Sequence, residues 1–205
     1  MNVLYNCNSG TFGISNQVHQ KFEKDCFLKE TNSYYLATCG FFLNSEECLT
    51  NYHTDSPEQL IIHLALSREV IPTIVKGIYA IAFYQKDTRE VYVYNDLLSK
   101  HSLYYYFDST SGTLLVSDSF FETLQMVKEH GLSYTIDPLG VKMMLKHRMF
   151  YDNLTYIKEI KFLRPFEYLI ARRDGLELQT IKRGEMLARA EDDFATADDE
   201  DDFLD

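Results

Sequence analysis

Short runs of β-branched and aromatic residues, separated by polar turns, recur along most of the chain. The clearest pair is 79–84 and 90–94, rich in Val, Ile, Tyr and Phe, on either side of the polar stretch 85–89. Such residues fit a pleated, half-buried surface. Two such runs joined by a short polar turn predict a β-hairpin. A third run, 102–107, follows a short polar connection and predicts another strand.

The remaining apolar runs predict further strands and leave room for three helices. The strand patterns lie at 1–7, 33–43, 113–117, 155–161 and 168–171, with a last one through 180. Gly40 interrupts the second of them, which indicates a bulge or a close approach of backbone.

Each helix is predicted from a residue that can cap it, followed by Pro at the first position or by Gln or Glu three residues after the cap. The caps are Ser56, Ser119 and Asp137, and Gly131 is the expected end of the second helix. Eight or nine strands and three helices, in no alternating order, predict an α+β fold.

The length of 205 residues suits one domain, 1–182, followed by an acidic tail, 183–205. A hydrophobic content of 45% is ample for one core. The net charge of −11 is concentrated at the end of the chain, because 191–205 holds nine acidic residues and no Lys or Arg. The tail is expected to be disordered, and the body is left near neutral.

These properties exclude several classes of partner and site. A near-neutral body does not favour nucleic-acid binding, which needs a basic face. No apolar run approaches the roughly 18 residues of a membrane span, and no signal peptide is recognisable, so we expect a cytoplasmic protein. Its four cysteines are then expected to be free thiols: Cys7, Cys26, Cys39 and Cys48. No Cys or His pair has ligand spacing, so no metal site is expected.

The predicted hairpin and the residues after it also carry a family resemblance. The order Gly77-x-Tyr-Ala-x-Ala-Phe-Tyr, charged turn, strand, Asn95-Asp96, Lys100 and Leu103-Tyr-Tyr resembles the N-terminal glutaminase domain of asparagine synthetases. That domain is a class II glutamine amidotransferase of the N-terminal-nucleophile (Ntn) type. With looser matches on both sides, such as Val116-Ser-Asp, the resemblance covers about residues 34–180. It implies a sandwich of two antiparallel β-sheets flanked by helices.

The resemblance also implies that the glutaminase site is degenerate. The family's nucleophile is a Cys directly after the initiator Met, and its α-amine serves as the base; the residue here is Asn2. The family's Asn-Gly-Glu motif aligns with Cys39-Gly40-Phe41, of which only Gly40 is retained for substrate binding. The Asp that holds the substrate's amine aligns with Pro57, although a slipped alignment recruits Asp55. The Arg that clamps the substrate carboxylate has no counterpart, because the first Arg is Arg68.

Other residues near these motifs have ordinary structural interpretations. Cys39 is interpreted as a small buried hydrophobe, and His101 as a structural or solvent-facing residue. Asp96 is expected to hold the loop 95–102 through backbone N–H groups. In the run 104–106, strand alternation predicts at least one core tyrosine.

Three functional hypotheses follow. The favoured one is a catalytically inactive glutaminase domain that serves as a scaffold or partner domain in an ATP-dependent amide-forming system. In that case ATP and Mg²⁺ belong to a missing synthetase domain or to an adenylating partner, this chain carries no cofactor, and a homodimer is a further possibility. The alternatives are a glutamine amidotransferase activated by processing to an N-terminal Cys7, and a regulatory amino-acid-binding domain.

Overall fold

The computed structural model describes residues 1–16 and 24–182, which form two antiparallel β-sheets with helices on their outer faces. The strands of the two sheets are β1 Asn2–Asn6, β2 Phe12–Ser15, β3 Leu28–Glu30, β4 Tyr34–Phe42, β5 Gly77–Gln85, β6 Glu90–Asn95, β7 Tyr104–Asp108, β8 Thr113–Ser117, β9 Ile160–Phe162, β10 Glu167–Arg172 and β11 Gly175–Thr180. The five-stranded sheet has the order β2-β1-β8-β7-β9, and the six-stranded sheet has the order β11-β10-β6-β5-β4-β3. The helices are α1 Ser45–Asn51, α2 Pro57–Leu66, α3 Phe120–Glu129 and α4 Pro138–His147, with a 3₁₀ turn at Ile71–Thr73.

The two sheets pack face to face through alternate residues of their strands. Val3 and Tyr5 of β1 lie in this core with Ala80 and Ala82 of β5, all fully buried. Alternation places the intervening residues on the opposite faces of the sheets. The sandwich predicted from the sequence is confirmed.

Helices cover both outer faces of the sandwich. Leu60, Ile61 and Leu64 of α2 pack on the six-stranded sheet. Val127 of α3 packs with Leu115 on the five-stranded sheet. The resulting order of layers, helix, sheet, sheet and helix, confirms the α+β class.

The local start signals of the helices are confirmed. The Ser56 hydroxyl accepts the N–H of Gln59 at 3.3 Å, and the Ser119 hydroxyl accepts that of Glu122 at 3.4 Å. The Asp137 carboxylate accepts the N–H of Leu139 at 2.9 Å. These bonds satisfy N–H groups that have no partner within the helix.

One predicted strand is wrong over most of its length. The segment 155–161 is strand only at its end, in β9, because the Thr155 hydroxyl folds the chain into a turn. It lies 2.8 Å from the carbonyl oxygens of both Ile157 and Ile160. The structure also contains α1, β2 and β3, which were not predicted. Helix α1 buries only Cys48, so it has no apolar stripe to reveal it.

The predicted tail, 183–205, lies outside the described residues. Across the described part of the chain, the helices are too short or too polar to traverse a lipid bilayer.

Candidate functional site

The start of β1 and the end of β8 bring two charged groups together at one end of the sandwich. In the antiparallel register, Asn2 lies opposite Ser117, so the residues that precede and follow them are also neighbours. The α-amine of Met1 accordingly forms an ion pair with the Asp118 carboxylate, with 2.7 Å between Met1 N and Asp118 Oδ2. Met1 itself is only 6% exposed.

His101 reaches the same place through the loop that joins the two sheets. Asp96 follows β6, is 3% exposed, and accepts the backbone N–H groups of Leu98 at 3.3 Å, Lys100 at 3.0 Å and His101 at 2.7 Å. The predicted role of Asp96 is confirmed. The carboxylate closes the loop and fixes the backbone of His101 at its end.

Cys39 completes a cluster of three reactive side chains. It lies on β4, on the face of that strand that packs against the core between the sheets. One donor atom each from Cys39, His101 and Asp118 lies within 4.8 Å of the other two. His101 Nε2 and Asp118 Oδ2 are 3.6 Å apart. Nitrogen, sulfur and carboxylate oxygen thus converge on one point, which we call the Cys-His-Asp cluster.

The cluster is partly sheltered from solvent. The side chains of His101 and Asp118 are 18% and 27% exposed, and His101 Nε2 is buried without a hydrogen-bond partner. His101 was interpreted as a structural or a solvent-facing residue, and this burial contradicts the second of the two interpretations. Its Nε2 lies 3.6 Å from the charged Asp118 Oδ2, an ion-pair distance that is too long for a good hydrogen bond.

The charges of the cluster shift one another's titration. Burial would lower the pKa of His101, but Asp118 and Cys39 outweigh it and raise the pKa to about 9. Burial would raise the pKa of Asp118, but His101 and the chain's α-amine lower it to about 2. The imidazole of His101 lowers the pKa of the Cys39 thiol against the opposing effect of burial. Cys39 is thus more acidic than an ordinary thiol, unlike the inert hydrophobe that its sequence context predicted.

Gly40, predicted to bind substrate, lies directly beside the cluster. It has φ +109°, and a Cβ there would lie 2.1 Å from the Ile78 carbonyl oxygen on β5. The β4–β5 register runs unbroken from Tyr34 to Phe42, so the predicted close approach is observed without a bulge. Its backbone also exchanges hydrogen bonds with the Cys26 thiol, at 3.1 Å from its N–H and 3.2 Å from its carbonyl. A role of Gly40 in substrate binding stays a prediction.

The other predicted site residues lie elsewhere. Asp55 is exposed and precedes α2, in the outer helical layer, where its N–H donates to Gln59 Oε1 at 3.1 Å. Cys7 is buried at the opposite end of β1 from Met1, six residues or about 20 Å along an extended chain. Burial raises the pKa of its thiol.

The Cys-His-Asp cluster could not be found from residue spacing. Its members lie on β4, on the β6–β7 loop and after β8, and they meet only because the two sheets stack. The expectation that no metal is bound was based on the spacing of Cys and His residues along the sequence. That spacing cannot reveal three ligands that come from distant parts of the chain. One residue of the cluster could be linked to the edge of a sheet from sequence alone. Asp118 ends the Val116-Ser-Asp motif at the end of a predicted strand, and this position indicates the rim of the sheet.

Comparison with solved structures finds distant neighbours. One is the allosteric regulatory enzyme of purine biosynthesis, with a TM-score of 0.49 and 16% identity over 77% of this chain and 31% of that chain. Another is glutamine phosphoribosylpyrophosphate amidotransferase from B. subtilis in complex with ADP and GMP, with a TM-score of 0.49 and 15% identity over 84% of this chain and 34% of that one. The chain spans about a third of the length of these proteins. No curated protein sequence matches it.

A family model gives the decisive match. The model described as the glutamine amidotransferase domain matches residues 27–182, which is most of the chain and includes Cys39, His101 and Asp118. The matched region runs from β3 to β11, and so takes in the whole six-stranded sheet. The chain therefore belongs to the glutamine amidotransferase domain family, of class II.

Proposed function

We propose that this domain has lost the glutaminase reaction and acts as a scaffold or partner domain in an ATP-dependent amide-forming system. The single observation that carries the proposal is Asn2 at the start of β1. In the asparagine-synthetase-like enzymes that the sequence resembles, this position holds the nucleophilic cysteine. A carboxamide offers no thiol to attack glutamine.

The surroundings of Asn2 support the loss of the reaction. The α-amine of Met1 donates to Asp118 Oδ2, and it is therefore engaged with a carboxylate. The Asn2 side-chain oxygen is buried without a hydrogen-bond partner. Glutamine hydrolysis by the family's route needs a nucleophile and a base at this point, and neither group is in place.

The region that would bind glutamine has also changed. Arg68, the first arginine of the chain, pairs with Glu90 at 3.3 Å on the outer surface. Arg68 therefore does not replace the guanidinium with which the family holds the substrate carboxylate. A bound carboxylate without a matching cation loses the strongest contact available to it.

The processed form with Cys7 at its N-terminus has a structural cost. Residues 2–6 are strand β1, which lies between β2 and β8, and its Val3 and Tyr5 are fully buried. Removing them would delete an interior strand of the five-stranded sheet. This argues against the amidotransferase activated at Cys7.

An exposed apolar surface supports a partner. Helix α4 and its flanks present large apolar side chains to solvent: Ile136 (64% exposed), Leu139 (50%), Leu145 (80%), Met149 (51%) and Tyr151 (46%). Ile136 and Leu145 line one surface groove together with Pro138 and Val141, and large apolar surface patches are typical of protein interaction sites. We assign this surface to the adenylating synthetase-type domain or subunit, which would supply ATP and Mg²⁺ chemistry and form the amide.

The loss of glutaminase activity is tested by ammonia release from glutamine, together with the intact mass of the purified protein. We expect no glutamine-dependent ammonia above the uncatalysed rate, an unprocessed N-terminal segment, and no effect of Cys7→Ala. Ammonia release that Cys7→Ala abolishes, in a protein lacking residues 1–6, would establish the processed amidotransferase instead. Ammonia release that is abolished by Cys39→Ala but not by Cys7→Ala would also contradict the proposal.

The partner role is tested with adenylating proteins encoded beside this chain, by co-expression and size-exclusion chromatography. We expect a complex whose ATP-dependent amide formation requires this chain and does not change when glutamine is added. Leu145→Glu is expected to weaken the complex at least tenfold, because it places a charge in an apolar interface. Leu43→Glu is the matched control, since Leu43 is 72% exposed on a different part of the surface. If Leu145→Glu and Leu43→Glu weaken the complex equally, α4 is not the docking surface.

A further inference from the structure

We propose that the Cys-His-Asp cluster is a zinc site, with Cys39 Sγ, His101 Nε2 and Asp118 Oδ2 as its protein ligands. The inference is independent of the proposed function, because it concerns metal binding and not glutamine chemistry. It rests on the geometry of the donor atoms, on a buried nitrogen without a partner, and on the chemistry of the donor set.

The distances fit a tetrahedral ion. Zinc bonds of about 2.0–2.3 Å place two ligand atoms roughly 3.3–3.7 Å apart along an edge of the tetrahedron. His101 Nε2 and Asp118 Oδ2 lie 3.6 Å apart, which is already such an edge. The cluster's donor atoms lie within 4.8 Å of one another, so displacements of about 1 Å, within the reach of side-chain torsions, complete the set.

The state of His101 gives the second argument. At 3.6 Å its Nε2 is too far from Asp118 for a good hydrogen bond, and this atom is buried with no other hydrogen-bond partner. A metal ion on Nε2 satisfies the nitrogen and releases its proton to solvent, so that the lone pair of the imidazole becomes available. The backbone of His101 is held by Asp96 at 2.7 Å, an outer contact of the kind that keeps metal ligands in position. The α-amine of Met1 lies 2.7 Å from Asp118 Oδ2, so the ion would compete with the amine for that oxygen.

The donor set selects the ion. A thiolate, an imidazole and a carboxylate together are typical of Zn²⁺, whereas Mg²⁺ and Ca²⁺ prefer oxygen ligands alone. One thiolate and one carboxylate offset the two charges of the ion, while the α-amine of Met1 beside Asp118 Oδ2 leaves one positive charge at this partly buried site. Three protein ligands leave a fourth position for water or a small ligand. The ion would also join both sheets, because β4 belongs to one sheet and β8 to the other.

The competing interpretation is that Cys39 forms a disulfide with the neighbouring Cys26. The electrostatic environment of Cys26 includes the Cys39 thiol, and both cysteines are free in the structure. A disulfide between them would remove Cys39 as a ligand. In that case oxidised protein would carry no metal and would be two hydrogens lighter than the reduced chain.

The test is the metal content of untagged full-length protein after dialysis, measured by inductively coupled plasma mass spectrometry. We expect about one Zn²⁺ per chain, lost in Cys39→Ser and His101→Ala and retained in Cys48→Ser. Cys48 is a matched control, because it is a buried thiol on α1. Co²⁺ added to metal-free protein is expected to give tetrahedral visible bands and a sulfur-to-cobalt charge-transfer band, and Cys39→Ser is expected to lose the charge-transfer band.

Thermal unfolding of the same samples separates metal loss from misfolding. Because zinc binds the folded state, we expect it to raise the Tm of the metal-free wild-type protein by about 5–10 °C at a concentration 100 times the dissociation constant. The Cys39→Ser and His101→Ala proteins are expected to unfold cooperatively without that increase. Wild-type protein without zinc and without tetrahedral Co²⁺ bands would overturn the site. So would zinc retained by Cys39→Ser, or a Cys26–Cys39 disulfide in the purified protein.

Discussion

Replacing Gly40 with Ala is expected to destabilise the protein by about 2–5 kcal/mol. A residue with a side chain costs about 1–2 kcal/mol in a left-handed conformation, and overpacking a tight site adds about 1–3 kcal/mol. Both apply here, since Gly40 has φ +109° and a new Cβ would lie 2.1 Å from a backbone oxygen. Backbone atoms of a central sheet cannot move aside as the end of a flexible side chain can. Urea unfolding followed by circular dichroism measures the loss.

Gly131→Ala is the matched control for the conformational part of this effect. Gly131 has φ +64° with nothing within 4 Å of its missing Cβ, so its substitution is expected to cost only about 1 kcal/mol. A Gly40→Ala protein as stable as Gly131→Ala would show that β4 and β5 are not in contact at this point. The unchanged slope of the urea transition would confirm that only stability has been altered.

Replacing Asp96 with Ala is expected to cost about 3–4 kcal/mol and to release the loop that carries His101. Hydrogen bonds to a charged acceptor contribute about 1.5–3 kcal/mol, and donors left without a partner add to the loss. Asp96 accepts three backbone N–H groups while 3% exposed. Amide hydrogen exchange at Lys100 and His101 is therefore expected to speed up by more than tenfold, whereas exchange in β1 follows global stability alone.

Two further substitutions serve as controls for the loss of stability in Asp96→Ala. Asp96→Asn keeps an acceptor oxygen of the same shape, and it is expected to lose about half as much stability. Asp87→Ala removes an exposed carboxylate from the β5–β6 turn, and its effect should stay within about 0.5 kcal/mol. If exchange at His101 is unchanged in Asp96→Ala, the loop is held by other contacts.

The parts of the fold that could be predicted from sequence are those with local causes. The hairpin of β5 and β6 follows from two β-rich runs and a short polar turn, and its register from Ala80 opposite Asn95 to Gln85 opposite Glu90 is the simplest one available. The helix starts follow from capping side chains that act within three residues. The role of Asp96 was predictable for the same reason, because its partners follow it in the chain. The strand predicted at 155–161 failed because the Thr155 hydroxyl bonds two carbonyls of that segment.

The site depends on contacts that no local pattern contains. Met1 meets Asp118 only because β1 pairs with β8 across more than a hundred residues of sequence. The sequence left open whether His101 is structural or faces solvent, because its burial is decided by the packing of a second sheet beside the loop. Cys39 looked like a core residue, and only its proximity to His101 alters its acidity. The family resemblance indicated the scaffold but not the contacts among Met1, Cys39, His101 and Asp118.

The pairing of β1 between β2 and β8 has a practical consequence for handling the protein. Met1 is 6% exposed and its amine contacts Asp118, so a purification tag fused there would have to pass through the rim of the sandwich. The last described strand, β11, is an edge strand with several exposed residues. Affinity tags, fluorophores and surface-coupling groups therefore belong after β11. A polyhistidine tag there should be cleaved before metals are measured.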